Sequence, residues 1–142
     1  MILVVDFNVV FSALVTRGNS RFVFELNDVF EKFEFISTQY MYSELANNLD
    51  KITSLSKLSK GEISEVLEFI KSSVEIIPSS TFEDKAKEAV SMAPHLKDAP
   101  YVALSLKFGC KIFSGDKGLK EALPDRVITP SEALGILLSN EE

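Results

Sequence analysis

Short apolar segments alternate along this chain with longer amphipathic segments, and this alternation limits the possible folds more than any other feature of the sequence. The short segments are three or four residues long and rich in β-branched or aromatic side chains, which predicts strands. They are residues 2–5 (ILVV), 33–36 (FEFI), 74–77 (VEII), 111–113 (KIF) and 126–128 (RVI). We therefore expect strands separated by helices.

The segments between the predicted strands carry the apolar spacing of helices, with a period of about 3.6 residues. One such apolar face consists of Phe22, Val23, Leu26, Val29 and Phe30. Another consists of Ile63, Val66, Leu67 and Ile70. Each face predicts a helix that packs against a core.

Capping residues mark two helix starts. Ser59 is followed three residues later by Glu62, and Thr129 by Glu132, which is the spacing of a capping box. Pro130 occupies the first helical position, where a missing N–H breaks no helical hydrogen bond. We expect one helix to begin at each of these points.

Strands that alternate with helices predict an α/β fold, in which helices cover both faces of a parallel sheet. Residues 38–73 hold two helical segments with no strand between them, joined by LSKLSKG. We interpret this stretch as a helical hairpin inserted between the second and third strands. The chain of 142 residues has the usual size of one domain, and we assign residues 1–142 to a single domain.

The formal net charge of −6 argues against a protein that holds nucleic acid through a broad positive surface. A polyanionic substrate would have to be met locally, by divalent cations that invert the charge of an acidic pocket. No uninterrupted run of about 18 apolar residues is present, and Asp6 interrupts the apolar opening, so we expect neither a membrane span nor a secretory signal. A single cysteine, Cys110, cannot form an internal disulfide, which favours a cytoplasmic location.

Three aspartates lie where a parallel sheet would place a ligand site. Asp6 follows the first predicted strand, and Asp116 follows the KIF strand. Ligands of open parallel sheets bind beyond the carboxyl ends of the strands. Asp98 precedes the helical stretch APYVALSLKF, where it fits either a functional site or a helix N-cap. The sequence DKG at Asp116 also fits a simple turn.

Several carboxylates in one pocket require a compensating cation or protons. Two carboxylates about 4 Å apart repel by about 4 kcal/mol at an effective dielectric constant near 20. That is a sizeable part of a typical stability of about 5–15 kcal/mol. Oxygen ligands without histidine or cysteine favour Mg²⁺ or Mn²⁺ over zinc. These ions support phosphate chemistry because they activate a water and neutralise charge on the displaced oxygen.

Four segments of the chain resemble the motifs of the PIN-domain nucleases, a family that includes the toxin ribonucleases of the VapC type. VVDFNVVFSAL is similar to the first motif, and YMYSELANNL to the helix that carries the family's glutamate. KDAPYVALSLKFG and KIFSGDKGL are similar to the third and fourth motifs. The order and spacing of four motifs from residue 2 to about 138 are far more specific than any one of them.

The resemblance implies a fold and a set of site residues. It implies a three-layer α/β fold with about five parallel strands in the order 3-2-1-4-5. It places four acids around Mg²⁺ or Mn²⁺: Asp6, Glu44, Asp98 and Asp116. It gives Asn8, Ser12 and Ser114 the role of orienting carboxylates or water. Without it, Glu44 would fit a helix-surface glutamate equally well, and Asp50 is the nearest alternative acid.

Basic residues close to these motifs are candidates for phosphate contacts. They are Arg17, Lys97 and Lys117. For each of them taken singly, a solvated surface charge is the simpler interpretation.

The leading hypothesis is an endoribonuclease that hydrolyses RNA phosphodiesters with one or two metal ions. The resemblance also implies a homodimer and, if the protein is a toxin, a small antitoxin partner. One alternative is an aspartyl phosphatase of the haloacid-dehalogenase kind, although Asn8 stands where that class needs a second acid. Another is an RNA-binding or receiver-like scaffold with little turnover, although VEIIPSS holds no aspartate for a receiver to phosphorylate.

Overall fold

A parallel sheet forms the centre of the molecule. The structure is a computed structural model that describes residues 1–139, so the end of the predicted 1–142 domain lies outside the described residues. Within residues 1–139 the strands are β1 (Ile2–Val5), β2 (Glu34–Thr38), β3 (Val74–Ile77), β4 (Lys111–Phe113) and β5 (Val127–Ile128). Their order is β3-β2-β1-β4-β5, and each neighbouring pair is parallel. The predicted α/β fold and the order 3-2-1-4-5 are confirmed.

Helices connect the strands and flank the sheet. In chain order they are α1 (Phe7–Val15), α2 (Asn19–Phe30), α3 (Gln39–Asn47), α4 (Leu49–Leu55), α5 (Lys60–Ser73), α6 (Ser79–Phe82), α7 (Ala86–Met92), α8 (Ala99–Phe108), α9 (Lys117–Ala122) and α10 (Pro130–Leu138). Short 3-10 turns precede α7 at Glu83–Lys85 and α8 at Leu96–Asp98.

Aromatic rings join α2 to one face of the sheet. Phe35 of β2 and Phe113 of β4 both lie against Phe24 of α2, with ring centroids 5.1 and 5.8 Å from it. Because side chains alternate between the two faces of a strand, this contact fixes which residues point toward α2. Helices α1 and α10 pack in turn against α2.

Helix α8 covers the central strands from the other face. It contacts β1, β2 and β4, and α7 packs against it. Val4, Ile36 and Ile112 are aligned across these three strands and alternate with the residues that face α2, so they point toward α8. All three are buried, as expected for strands covered on both faces.

The apolar face predicted for α2 is partly wrong. Val29 and Phe30 are exposed, at 71% and 47% of their surface, and Phe24 is the central core residue instead. The buried side of α2 includes polar groups that an apolar pattern does not reveal. Arg21 is buried because its Nε and Nη2 donate to the carbonyl oxygen of Ala13.

Strand β2 is longer at its carboxyl end than the predicted range of 33–36. It runs to Thr38 because Ser37 and Thr38 pair with Ile76 and Ile77 of β3. The Ser37 hydroxyl donates to the carbonyl oxygen of Val5, so a polar residue is accommodated inside the sheet. The last strand is shorter than predicted, Val127–Ile128 in place of 126–128.

Residues 38–73 were predicted to hold two helical segments, whereas the structure has the three helices α3, α4 and α5 there. The additional break is at Asn48, whose side-chain amide donates to the carbonyl oxygen of Glu44 and so ends α3. In α5, the predicted apolar face is confirmed, with Ile63 and Ile70 buried.

The predicted helix starts are confirmed. Ser59 and Glu62 form a complete capping box at α5, as do Thr129 and Glu132 at α10. Helix α8 ends at Gly109, whose φ of 60° lies in the left-handed region that glycine adopts without strain. Within residues 1–139, no helix is both long and apolar enough to cross a lipid bilayer.

We expect Phe24→Ala to lower the free energy of unfolding by about 3–5 kcal/mol, because it leaves a cavity between α2 and the sheet. Denaturant unfolding followed by circular dichroism measures this. Val29→Ala on the same helix is the matched control and should change stability by no more than about 0.5 kcal/mol. Equal losses in the two variants would contradict this packing.

Candidate active site

The site lies where the strand order reverses, between β1 and β4. The backbone N–H of Asp6, just after β1, donates to the carbonyl oxygen of Phe113 at the end of β4, at 3.2 Å. The chain then leaves β1 into α1, and leaves β4 toward Asp116 and α9. A crevice at such a switch point is the usual ligand site of an open parallel sheet.

One cavity of about 310 Å³ occupies this crevice, and all four predicted acids line it. Asp6 comes from the end of β1, Glu44 from α3, Asp98 from the start of α8 and Asp116 from the loop after β4. Other residues around it include Asn8, Asn48, Lys51, Lys97 and Tyr101. Four chain segments that are distant in sequence therefore meet around one space, which we call the acidic cavity.

Asp6 is almost completely buried at the end of β1. Only 6% of the residue surface is exposed, and the Ser114 hydroxyl donates to its Oδ2 at 2.6 Å. Burial is the main reason that the pKa of Asp6 rises to about 6, and the charges of Asp98 and Glu44 raise it further. The bond from Ser114 offsets part of that rise because it stabilises the ionised form.

Asp98 occupies the N-cap position of α8 without acting as a cap. Its side chain accepts no capping hydrogen bond, although the residue is 97% buried. Its Oδ2 is buried without a hydrogen-bond partner among the described residues. Burial, followed by the charge of Asp116, raises the pKa of Asp98. The interpretation of Asp98 as a simple helix cap is therefore wrong.

Tyr101 holds Glu44, and sequence reasoning missed it. The Tyr101 hydroxyl donates to Glu44 Oε1 at 2.5 Å, and the tyrosine is almost completely buried. Burial raises the pKa of Glu44, and the bond from Tyr101 lowers it in part. Tyr101 follows Asp98 by three residues, so the helical repeat itself places both on one face of the helix start.

Asp116 does serve as a cap, and it also lines the cavity. Its Oδ1 accepts from the backbone N–H groups of Gly118 and Leu119, at 2.9 and 3.3 Å. The interpretation of the DKG sequence as a turn is thus correct, because Asp116 Oδ1 holds the backbone of that turn. Within residues 1–139, no hydrogen bond reaches Oδ2 of Asp116. The Ser114 hydroxyl accepts from the Asp116 N–H at 3.1 Å, so one serine links both aspartates.

Asn8 lines the acidic cavity, whereas Ser12 does not. The Asn8 Oδ1 accepts from the Gly115 N–H at 2.8 Å. A Cβ at Gly115 would approach that oxygen to 2.9 Å, so a larger residue there would displace the Asn8 side chain. Ser12 lines a neighbouring cavity, and among the described residues its hydroxyl makes no hydrogen bond to an acid.

The predicted basic residues also lie at different places: one at the acidic cavity, one at the neighbouring cavity and one at neither. Lys97 lines the acidic cavity, whereas Lys117 lines the neighbouring one. Arg17 points elsewhere, with Glu25 4.0 Å away and the ring of Phe22 beneath it. Lys51 lines the acidic cavity, its Nζ 5.6 Å from the centroid of the Phe11 ring, and was not predicted. Because the helix breaks at Asn48, helical spacing from Glu44 in α3 does not place Lys51 of α4, and no local sequence signal identifies it.

The PIN-domain profile matches residues 4–123, which is most of the chain. The chain belongs to the PIN-domain family. The resemblance noted in the sequence is therefore confirmed at the level of the family. No curated protein sequence matches the chain at a significant level.

PIN domains are typically nucleases and generally use divalent metals. The question is therefore whether the side chains around the acidic cavity suit a divalent cation. The four acids offer only oxygen donors, as Mg²⁺ and Mn²⁺ prefer, and the buried, unpartnered Oδ2 of Asp98 fits a cation ligand. However, no group of three or more histidine, cysteine, aspartate or glutamate side chains among the described residues is close enough to form a metal site. Without a cation between them, the negatively charged carboxylates repel one another, which opposes their coming within metal-binding distance.

We expect the metal-free protein to lose stability as the pH rises from about 4 to about 6, because the pKa of Asp6 rises from 3.8 to about 6 on folding. Below this window, Asp6 is protonated in both the folded and the unfolded states. Above it, the buried charge lowers the free energy of unfolding by about 3 kcal/mol, at about 1.4 kcal/mol per pKa unit.

Asp6→Asn should therefore stabilise the metal-free protein at pH 7 and have little effect at pH 4. Urea unfolding in the presence of a chelator at the two pH values measures this difference. Asp125→Asn, at an exposed loop position, is the control. Equal effects of Asp6→Asn at both pH values would show that burial does not raise the pKa of Asp6.

Proposed function

We propose that this protein is a metal-dependent endoribonuclease that hydrolyses RNA phosphodiesters at the acidic cavity. The observation that carries the proposal is that four carboxylates from four separate segments line one cavity at the switch point of the sheet. Burying carboxylates together destabilises a fold that has no use for them. Membership of a family of nucleases supports the same conclusion.

Asp6, Glu44, Asp98 and Asp116 would hold Mg²⁺ or Mn²⁺. When bound, such an ion lowers the pKa of an attacking water and neutralises charge on the leaving oxygen. The cavity provides oxygen donors for it on several sides, from the ends of β1 and β4 and from the helices α3 and α8.

Neighbouring side chains fix the carboxylates in place. Ser114 holds Asp6 through its hydroxyl, Tyr101 holds Glu44, and the α9 backbone holds Asp116. Preorganised groups of this kind reduce the rearrangement that binding and reaction require. Asp98 is the exception, since its Oδ2 has no hydrogen-bond partner among residues 1–139 and remains available to a ligand.

Lysines on the wall of the acidic cavity suit a phosphodiester substrate. Lys97 and Lys51 both line it. Lys97 also lowers the pKa of Glu44 and of Asp98, which places its charge within electrostatic reach of both acids. A phosphate beside the acids would thus meet positive charge despite the net charge of −6.

The phosphatase alternative loses support from the role of Asn8. A proton donor is needed at this position in that class, whereas the Asn8 side chain accepts from the Gly115 backbone and supports the loop after β4. An asparagine amide is also far too weak an acid to protonate a leaving group.

A second candidate is an RNA-binding PIN scaffold with little or no turnover. It is favoured by the absence, among the described residues, of three potential ligands already grouped at metal-binding distance. Such a protein would bind RNA without cutting it under any metal. A toxin role, an antitoxin partner and a homodimer remain predictions that rest on the family resemblance.

We expect purified protein to cleave single-stranded or structured RNA when Mn²⁺ or Mg²⁺ is added, and to stop when the metal is chelated. Asp6→Asn and Asp98→Asn should each lower the rate by more than about 100-fold, since the loss of even an outer-shell partner commonly lowers activity 10- to 100-fold. Asp125→Asn should retain the wild-type rate. A wild-type protein that cuts no RNA with either metal would refute the proposal, as would an Asp6→Asn variant that cuts normally.

Tyr101→Phe should weaken Mn²⁺ binding by about 10-fold, because removing the hydroxyl frees Glu44 to adopt other rotamers. Calorimetric titration with Mn²⁺ measures this independently of RNA cleavage. Tyr42→Phe, at a partly buried tyrosine that does not line the acidic cavity, is the matched control. Unchanged Mn²⁺ affinity in Tyr101→Phe would exclude a positioning role for this hydroxyl.

A further inference from the structure

A second cavity of about 670 Å³ adjoins the acidic cavity. The two share Asn8 and Phe11 of α1 as lining residues. The second cavity is also lined by Lys117 after β4 and by Asn19 and Ser20 at the start of α2. We call it the α2 cavity. An RNA strand bound in the acidic cavity could continue past Asn8 into this second cavity.

The charge of the α2 cavity is opposite to that of its neighbour. None of its described lining residues is acidic, and Lys117 carries a positive charge. The other polar groups are amides and hydroxyls, such as those of Asn8, Ser12 and Ser131. In a chain with a net charge of −6, a large cavity without acidic lining is a local environment that favours an anion.

Helix α2 directs its amino-terminal end at this cavity. It has 12 residues and begins at Asn19, and its N-cap residue, Gly18, has no side chain with which to cap it. No acidic residue lies in its first turn. The first backbone N–H groups of a helix lack intrahelical partners, and together with the helix dipole they attract anions.

Ser20 gives an independent indication of a ligand at the same point. It lines the α2 cavity and is 95% buried, yet its hydroxyl makes no hydrogen bond among residues 1–139. The adjacent Arg21 is buried to a similar degree and is fully engaged with the carbonyl oxygen of Ala13. The Ser20 Oγ is not among the fully buried atoms without a partner, so it is accessible from the cavity that the residue lines, and its O–H is free to donate to a ligand there.

We propose that the α2 cavity binds a backbone phosphate of the RNA strand, next to the phosphate that lies at the acids. The Ser20 hydroxyl, the N–H groups at the start of α2 and the Lys117 ammonium are its donors. This inference rests on the proposed RNA substrate. It implies that the RNA strand leaves the acidic cavity on the side of the α2 cavity. Lys117 acts here, while Lys97 and Lys51 act at the acidic cavity.

The test adds one negative charge at the mouth of the α2 cavity with Asn19→Asp. An acid in the first turn stabilises a helix, so the melting temperature should stay the same or rise by about 2 °C. A bound phosphate would be repelled, and affinity for RNA should fall by about tenfold. Opposite changes in stability and in affinity separate a binding role from simple damage to the fold.

Binding is measured without metal, by fluorescence anisotropy of a short labelled single-stranded RNA with protein that carries Asp6→Asn to prevent cleavage. The slope of log affinity against log salt should become shallower by about 0.7 for one lost phosphate contact. Gly61→Asp is the matched control, because it adds the same charge to the first turn of α5 and Gly61 lines neither cavity. Asn19→Ala shows the effect of losing the amide alone.

Equal RNA affinity of Asn19→Asp and Gly61→Asp would overturn the proposal, and so would a lack of RNA binding by the parent protein. Titration with inorganic phosphate is the second arm. If Asn19→Asp weakens phosphate binding and leaves RNA binding unchanged, the cavity takes free phosphate and the assignment to the RNA strand is wrong. Because no cleavage is measured, a protein that binds RNA here and never cuts it would support this inference while refuting the proposed nuclease.

Discussion

The parallel pairing of β1 with β4 is the interaction on which the candidate site depends. It brings Asp6 beside Ser114, which is 108 residues away in sequence, and a single serine hydroxyl then contacts both Asp6 and the backbone of Asp116. Neither aspartate is near the other along the chain. The helices α3 and α8 add Glu44 and Asp98 to the same edge of the sheet because β1 is central and its neighbours lie on both sides.

The acidic cavity combines two opposing requirements. The proposed active site would require carboxylates sheltered from water, whereas burial raises the pKa values of Asp6, Glu44 and Asp98. Hydrogen bonds from Ser114 and Tyr101 relieve part of this penalty without neutralising the acids. A cation bound at the proposed site would recover part of the remaining electrostatic penalty, and its binding would then also stabilise the fold.

Much of the fold was predictable because β-branched runs, apolar periodicity and capping boxes are local signals. The five strands and the starts of α5 and α10 follow from them, and the acidic cavity lies at the strand ends where the sequence predicted a ligand site. The positions of Asp6, Asp98 and Asp116 at predicted strand and helix ends made them candidates, whereas Glu44 was a candidate only through the family resemblance. What was missed are groups whose role depends on distant partners: Tyr101 needs Glu44, and Arg21 needs the carbonyl oxygen of Ala13. Periodicity also misplaced the buried side of α2, because buried polar residues give no apolar signal.

Asp116 has two unrelated structural roles, since its Oδ1 caps α9 and the residue also lines the acidic cavity. An alanine here would fray α9 and remove a charge together, so any defect of that variant would mix folding with chemistry. Asparagine keeps an acceptor for the backbone and removes only the charge. A substitution that keeps the helix cap can therefore still change the charge of the cavity, and one that alters the cavity can also weaken the start of α9.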